Sequence, residues 1–218
     1  MTFPRLVDAV TLRHFGVTEH LAVLEHVLSP CPQPRWTQTI RNEILAGFGQ
    51  PGCGNVLWRQ LNKIRCTVRG PGGVRPGHGT CHRLDEVRSC LISAISASFL
   101  GEPHEIATAD LARVMRIRVA LGGEPGRPTE HLGEAESIFL ADKLHGAFIT
   151  DDRAAYDFAR RRLGDRRVFD TVDLLREAVA SSYFTLNEAQ QVADAIRNSG
   201  RKLRRGHPST FTPNYFKP

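Results

Sequence analysis

The sequence predicts an α/β fold in which helices cover a central parallel sheet. Three short apolar segments typical of buried strands occur near the start of the chain and after residue 146. Segments with apolar residues at helical spacing lie between them, and strands that alternate with helices favour parallel pairing. With 41% hydrophobic and 24% charged residues, the 218-residue chain has the composition of a globular protein with a core of its own.

The first part of this pattern has one strand and two helices. Residues 6–10 are an apolar run interrupted only by Asp8, which predicts a buried strand with an acid near its end. Leucines at helical spacing predict a helix over 19–28, and an apolar residue every fourth position predicts another over 37–48. Three prolines break the chain between the two helices.

Residues 49–107 are the least regular part and predict a mostly helical or irregular insertion. Segments rich in glycine and proline fill much of 49–82, with a short helix near 56–64, and helical spacing returns at 84–99. A loop of such length is unusual inside a compact domain. We therefore interpret residues 1–200 as a single domain that contains this insertion.

Strands and helices alternate in the rest of the chain. The prediction comprises a helix over 108–121 capped by Thr108, a helix over 133–145, a strand over 147–150, a helix from the Asp151–Asp152 pair to residue 163, a strand over 167–169, and helices over 171–180 and 185–198. Thr185 and Glu188 have the spacing of a capping box at the start of the last helix.

The positive charge of the chain is concentrated near its C-terminus. Lys and Arg total 29 against 23 Asp and Glu, a net charge of +6. Six of the bases and none of the acids follow Asp194, so the rest of the chain is electrically balanced. We interpret residues 201–218 as a basic tail, separable from the domain, that either contacts an anionic partner or is a solubilising terminus.

Nothing in the sequence indicates a membrane segment or secretion. No apolar run reaches the roughly 18–20 residues that a membrane span needs, and the N-terminus lacks the pattern of a signal peptide. The odd number of cysteines, five, favours free thiols over a disulfide framework. We therefore expect a soluble, cytoplasmic protein that does not bind a membrane.

Acidic side chains follow the predicted strands. Asp8 ends the first strand, and Asp151 and Asp152 follow another. Because ligands bind beyond the carboxyl ends of parallel strands, these acids can converge there with Glu43 and Glu134 from neighbouring helices. Converging carboxylates repel each other unless a cation neutralises them, and such oxygen ligands suit Mg²⁺ or Mn²⁺. Taken singly, each acid also fits an ordinary role as a helix cap, an ion-pair partner or a solvated residue.

Several short motifs share their order and spacing with a known family. Leu-Val-Asp-Ala near the start is followed by Ile-Arg-Asn-Glu-Ile, Leu-Gly-Glu-Ala-Glu-Ser-Ile and Ala-Phe-Ile-Thr-Asp-Asp. This series resembles the PIN-domain family, in particular the VapC-like ribonuclease toxins and a related bacterial branch. The segments that start at Thr171 and Thr185 are similar to that branch as well. The resemblance covers residues 5–48 and about 108–203, and residues 49–107 fall outside it.

The resemblance implies a three-layer α/β/α PIN-like fold and a metal-dependent endoribonuclease site. It places the four catalytic and metal-binding acids at Asp8, Glu43, Glu134 and Asp152, with Mg²⁺ or Mn²⁺ as the cofactor. Asp151 is an alternative metal ligand to its neighbour Asp152. Glu136 is an alternative to Glu134, but it lies about 200° further round the helix, so only one of the two can face the pocket.

The resemblance also implies partners for the chain. The expected substrate is RNA, and an antitoxin protein is expected if the chain is the toxin of a toxin–antitoxin pair. The bases that could contact the RNA backbone are Arg153, Arg201, Lys202, Arg204 and Arg205. Thr11 could add a hydroxyl near the first acid, although an ordinary turn residue is an equal interpretation.

Three other interpretations remain open. A zinc site could use Cys66, His78, Cys81 and His82, although no Cys-x-x-Cys pair is present. The helix pair over 171–198 could form a helix-turn-helix that reads DNA, but the second helix lacks a recognition signal, and packing or a homodimer contact suits the pair better. A non-catalytic nucleic-acid-binding or regulatory protein with the same fold is the alternative to the enzyme.

Overall fold

The computed structural model describes residues 3–46, 99–204 and 206–217. The helix predicted over 56–64 therefore lies outside the described residues, as do the insertion up to residue 98 and all but the last residue of the helix predicted over 84–99. The four residues of the zinc interpretation and Arg205 also lie outside them. What the structure does describe comprises the candidate carboxylates and the elements that carry them.

The described part of the chain contains three strands and eight α-helices. In chain order they are β1 (Arg5–Val7), α1 (Ala9–Val17), α2 (Leu21–Leu28), α3 (Gln38–Ala46), α4 (Leu111–Ala120), α5 (Leu132–Lys143), β2 (Ala147–Ile149), α6 (Arg153–Leu163), β3 (Val168–Phe169), α7 (Thr171–Ala180) and α8 (Leu186–Asn198). Short 3₁₀ turns occupy Thr108–Asp110, Asp165–Arg167 and Pro213–Phe216.

The three strands form one parallel sheet in the order β1-β2-β3. Leu6 pairs with Phe148, and Ile149 pairs with Phe169. Since all three strands run in the same direction, their carboxyl ends lie at one edge of the sheet. Asp8 and Asp170 directly follow two of these ends.

Each face of the sheet lies against its own hydrophobic cluster. Val7 and Ile149 belong to a cluster built with α1, α2, α3, α7 and α8. Leu6 and Phe148 belong to a second cluster built with α4, α5 and α6. Alternate strand residues thus point to opposite faces, as the period of a strand requires. The predicted α/β class with a parallel sheet is confirmed.

The first strand is shorter than the sequence predicts, and a helix follows it at once. The predicted strand over 6–10 ends at Val7, and Asp8 in extended conformation is the N-cap of α1. Ala9, Leu12 and Phe15 lie at helical spacing and are buried on one face of α1. Sequence reading missed α1 because its first apolar residues continue those of the strand.

Most other helix boundaries lie close to the predicted ones. The capping box at Thr185 is confirmed, since its hydroxyl accepts from the Glu188 N–H and the Glu188 side chain accepts from the Thr185 N–H. Thr108 does not cap α4, because a 3₁₀ turn separates it from the helix, which begins at Leu111. A second capping box, at the start of α7, pairs Asp170 with Asp173.

The C-terminal segment is packed onto the domain, which corrects the expectation of a separable tail. Leu203, Phe211 and Phe216 are buried in the same cluster as α7 and α8. The Arg197 guanidinium lies 3.8 Å from the Phe211 ring centroid and donates to the carbonyl of Ser209 at 2.7 Å. Burial of three large apolar side chains holds this segment in place. The basic residues, on which the expectation of a separable tail depends, give no indication of this packing.

Helix α4 has one face open to solvent. Leu111, Met115 and Val119 recur every four residues along it, and their side chains are exposed. Its other face buries Val114 and Ile117 against α5. Among the helices of the described residues, none has both the length and the apolar character needed to cross a membrane.

Candidate functional site

Asp8 is fixed where β1 passes into α1. Its backbone N–H donates to the carbonyl of Ile149 at 3.0 Å, which continues the sheet by one residue. Its side chain is only 1% exposed, and its Oδ2 accepts a hydrogen bond of 2.8 Å from the Thr150 hydroxyl. Its Oδ1 is buried and has no hydrogen-bond partner in the described part of the chain. A buried carboxylate oxygen without a partner is costly and therefore marks a site for a ligand.

Thr150 connects Asp8 to Asp152. The Thr150 hydroxyl that donates to Asp8 also accepts from the backbone N–H of Asp152 at 3.0 Å. Asp152 is the N-cap of α6, and its Oδ1 accepts from the Ala155 N–H at 2.8 Å. One hydroxyl thus fixes two acids that are distant in sequence, one after each strand.

Glu43 reaches the start of α5 from α3, on which it lies. The backbone of Gly133 lies close enough to its carboxylate to lower the pKa of Glu43. A Cβ atom at residue 133 would lie 2.7 Å from the Glu43 Oε1 and 2.5 Å from the Ile40 Cδ1. Glycine at this position therefore lets α3 and its carboxylate approach the first turn of α5, where Glu134 follows.

The electrostatics show that these acids form one cluster. Burial and the charge of Glu134 raise the pKa of Asp8 to about 8. Burial and the charge of Asp8 raise the pKa of Glu43 to about 7. Burial and the charges of Glu43 and Asp152 raise the pKa of Glu134 to about 7. Each acid thus disfavours ionisation of another, as expected for carboxylates gathered in a partly desolvated pocket.

Arg13 lies beside this cluster, and sequence reading missed it. Its Nη2 donates to the backbone carbonyl of Glu43 at 3.1 Å, and its charge lowers the pKa values of Asp8, Glu43 and Glu134. Arg13 lies on α1, which was not predicted, so its position relative to Asp8 could not be anticipated. One guanidinium is present among the four carboxylates, which leaves the cluster with an excess of negative charge.

Glu136 has a different environment from Glu134. Burial raises its pKa, and Thr37 and Thr39 beside the start of α3 oppose that rise. Its charge is felt by Glu43. Glu134 thus belongs to the cluster, whereas Glu136 lies beside the start of α3.

Asp151 points away from the cluster, which corrects its place among the candidate metal ligands. Its Oδ2 accepts from the Thr171 hydroxyl and lies 3.1 Å from the His14 Nδ1, while its Oδ1 accepts from the Arg204 N–H at 3.3 Å. Both oxygens thus have partners inside the protein. Adjacent residues of an extended turn point in opposite directions, so only one of the Asp151–Asp152 pair can face the site.

Asp170 is a buried acid that sequence reading did not single out. It follows β3 and is fully buried, and it contacts the Arg204 Nε at 2.6 Å and the His207 Nε2 at 2.9 Å. Although burial opposes ionisation, His207 and Arg204 lower the pKa of Asp170 to about 2. Its place directly after a strand was a signal that could have identified it, but its partners are supplied by the C-terminal segment.

The predicted RNA-contacting bases have distinct surroundings. Arg153 is exposed and lies 3.6 Å from Asp157, and Lys202 is exposed as well. Arg204 is bound to Asp170, and its guanidinium lies 4.0 Å from the Tyr156 ring centroid. Arg201 is half-buried and close enough to Arg13 for the two charges to interact. Arg204 thus has a structural role, which the sequence did not indicate.

Three further observations define the limits of the site. The Thr11 hydroxyl on α1 is buried without a hydrogen-bond partner among the described residues. In residues 3–46, 99–204 and 206–217, no three His, Cys, Asp or Glu side chains are arranged as a ready metal-coordination group. An open groove of about 430 Å³ lined by α6, β3 and α7 includes none of the four carboxylates.

Comparison with known proteins gives no match. No protein-family model matches the chain. Neither a curated protein nor a solved structure matches it significantly. Functional interpretation therefore depends on the residues and on the geometry of the site.

Proposed function

We propose that this chain is a PIN-like, Mg²⁺- or Mn²⁺-dependent endoribonuclease with a three-layer α/β/α fold. The observation that supports it most is the cluster of Asp8, Glu43, Glu134 and Asp152 at the carboxyl edge of a parallel sheet, where three of the acids have raised pKa values. Buried acids with strongly shifted pKa values concentrate at functional sites. The toxin role, with an antitoxin partner, follows from the family resemblance, and an RNA substrate favours the cytoplasm.

The donor set suits a hard divalent cation. The charges of the four carboxylates act on one another, and the Oδ1 of Asp8 is buried without a hydrogen-bond partner among the described residues. Oxygen donors with net negative charge are those that Mg²⁺ and Mn²⁺ select. Asp8, Glu43, Glu134 and Asp152 would hold the ion. When bound, such an ion supplies Lewis acidity and neutralises charge at the phosphodiester.

Other residues of the chain position the four acids and reduce the repulsion between them. The Thr150 hydroxyl orients the carboxylate of Asp8 and the backbone of Asp152. Arg13 reduces the repulsion between the acids and holds the end of α3. The Glu134 side chain is 15% exposed, so this part of the cluster meets solvent. Among the described residues none is placed as a nucleophile beside the four acids, so we expect direct attack by water without a covalent intermediate.

Cleavage of RNA by the purified chain tests this function. We expect a labelled single-stranded RNA to be cut in Mn²⁺ and not in EDTA, and we expect Asp8→Asn to reduce the rate by at least about 100-fold. Asp157→Asn is the matched control, since this half-exposed acid lies on α6 just beyond the site and should leave the rate within about twofold. Cleavage that survives both EDTA and Asp8→Asn would contradict the proposal.

A second candidate is a nucleic-acid-binding or regulatory protein that keeps the fold and does not cut. The absence of a ready metal-coordination group in the described residues favours it. In that case the wild-type chain binds RNA and leaves it intact in Mn²⁺. Asp8→Asn would then leave RNA binding unchanged or strengthen it, because it removes a negative charge from the site.

A further inference from the structure

Arg201 occupies a fixed position and has no hydrogen-bond or ion-pair partner among the described residues. Helix α8 ends at Asn198, and Gly200 follows with a φ of +81°. The Gly200 N–H donates to the carbonyl of Arg197 at 2.9 Å, and the Arg201 N–H donates to that of Ile196 at 3.4 Å. These two bonds are those of a Schellman motif, which fixes the backbone at Arg201. The side chain therefore leaves the end of α8 in a defined direction.

The Arg201 side chain is half-buried, yet no hydrogen bond or ion pair links it to the part of the chain that the structure describes. Burying a cation without an acceptor is costly, and proteins rarely retain one without a purpose. Helix α8 packs against α1, which carries Arg13. Burial and the charge of Arg13 lower the pKa of Arg201 to about 10. The two guanidinium charges are thus close enough to repel each other.

We propose that Arg13 and Arg201 form a binding site for a backbone phosphate of single-stranded RNA, at the edge of the carboxylate cluster. The proposal rests on the proposed function. Arg13 connects the two regions, because its guanidinium bonds to the carbonyl of Glu43 while it lies next to Arg201. A phosphate there would pair with both guanidiniums, and the next phosphate along the strand would lie towards the carboxylates. Planar guanidiniums suit such an anion.

The neighbouring cations do not share these features. Arg197 is bound to the carbonyls of Pro208 and Ser209, and Arg204 is bound to Asp170. Lys202 is next in sequence to Arg201 but is exposed to solvent. Lys202 therefore provides a matched control, since removing its charge changes the net charge of the protein equally.

The test is binding of a fluorescent single-stranded oligoribonucleotide, measured by anisotropy in EDTA and, in parallel, in Ca²⁺. We expect Arg201→Met to weaken binding by about tenfold or more, because it removes a charge-assisted contact. The slope of log K against log salt should become shallower by about 0.7–1. We expect Lys202→Met to stay within about twofold of wild type and Arg201→Lys to recover only part of the affinity. Inorganic phosphate, exchanged for chloride at constant ionic strength, should compete with RNA in wild type and not in Arg201→Met.

Thermal unfolding separates this role from a structural one. Because Arg201 is half-buried without a partner, Arg201→Met should unfold at the same temperature as wild type or higher. A lower unfolding temperature together with weaker binding would indicate a structural arginine and overturn the proposal. Three other results would overturn the proposal as well. The first is an equal loss of RNA affinity in Arg201→Met and Lys202→Met, and the second is competition by phosphate although Arg201→Met binds RNA as wild type does. The third is that wild type binds no RNA in either buffer.

The experiments distinguish a failure of the phosphate-site proposal from a failure of the nuclease proposal. If wild type cuts RNA in Mn²⁺ while Arg201→Met binds RNA as wild type does, the phosphate site is wrong and the nuclease proposal stands. If RNA is never cut but binding depends on Arg201, the phosphate site is supported and the nuclease proposal fails.

Discussion

Three aspartates at the carboxyl edge of the sheet have three different surroundings. Asp8 keeps one buried oxygen without a partner, whereas Asp151 and Asp170 use their oxygens on donors within the protein. The partners of the latter two come from α1, α7 and the C-terminal segment. Of these three residues, Asp8 alone keeps an oxygen that could bind a ligand. That oxygen, rather than a position after a strand, distinguishes Asp8 from the two aspartates that make structural contacts.

Gly133 provides a test of the site at a single residue. Gly133→Ala places a Cβ atom 2.7 Å from the Glu43 Oε1 and 2.5 Å from the buried Ile40 Cδ1, so the carboxylate must move. We expect Mn²⁺ affinity, measured by calorimetry, to fall by about tenfold or more, with a loss of about 1–3 kcal/mol in the free energy of unfolding.

Gly126→Ala is the control for this substitution. A Cβ atom at residue 126 meets nothing within 4 Å, and the backbone there needs no positive φ. Both measurements should therefore match wild type within error. Equal Mn²⁺ affinity in wild type and Gly133→Ala would show that the position of Glu43 does not matter to the ion.

Much of the candidate site could be predicted at the residue scale, and the limits have a physical cause. Asp8, Glu43 and Glu134 were predicted from strand ends and helix positions, and the structure brings them together. The orientation of Asp151 depends on His14 and Thr171, which are far from it in sequence, so local patterns cannot determine it. Arg13 could be placed only once α1 was known.

At the scale of elements, the C-terminal segment is part of the domain. Its rings pack on α7 and α8, and the Arg204 side chain and His207 contact Asp170 at the start of α7. Sequence reading gave weight to its basic residues and found no helical spacing in it. The apolar residues Leu203, Phe211 and Phe216 follow neither the period of a helix nor that of a strand, so periodicity could not reveal their burial.

Phe216→Ala tests whether this segment stabilises the fold. The Phe216 side chain is fully buried, and its removal should cost about 3–5 kcal/mol in the free energy of unfolding, measured with urea. Lys217→Ala, one residue further on and exposed, should cost less than about 0.5 kcal/mol. A Phe216→Ala protein as stable as Lys217→Ala would mean that the segment is dispensable, as the sequence suggested.

At the scale of the whole molecule, part of the basic charge behind the net charge of +6 is engaged in contacts within the protein. Arg197 and Arg204 are engaged within the protein, whereas Arg201 lies near Arg13, which borders the acids. The positive charge is thus divided between structural contacts and the edge of the site. This arrangement differs from the independent basic tail that the sequence predicted.

Stability of the metal-free protein should depend on pH in an unusual direction. Asp8, Glu43 and Glu134 have pKa values of about 8, 7 and 7 in the folded state, well above those of the unfolded chain. The folded state therefore binds more protons than the unfolded state between about pH 4 and 8, and stability falls as pH rises across that window. We expect the unfolding temperature in EDTA to drop by at least about 5 °C between pH 5.5 and 8.

Two comparisons check the cause of this pH dependence. Asp8→Asn should reduce the drop, because it removes the group with the largest shift. Mn²⁺ should raise the unfolding temperature more at pH 8 than at pH 5.5, since the acids must lose protons to bind it. An unfolding temperature in EDTA that is constant or rises from pH 5.5 to 8 would contradict the clustering of the acids.

The contacts of Asp151 also determine when the site can form during protein synthesis. They join His14, Thr171 and the Arg204 backbone, which lie near the beginning and near the end of the chain. Domains fold as synthesis proceeds, but this junction cannot close until residue 204 has been made. The turn that carries Asp152 is thus secured last, after all four carboxylates have been synthesised. The order of translation itself therefore delays the finished site until synthesis has passed residue 204.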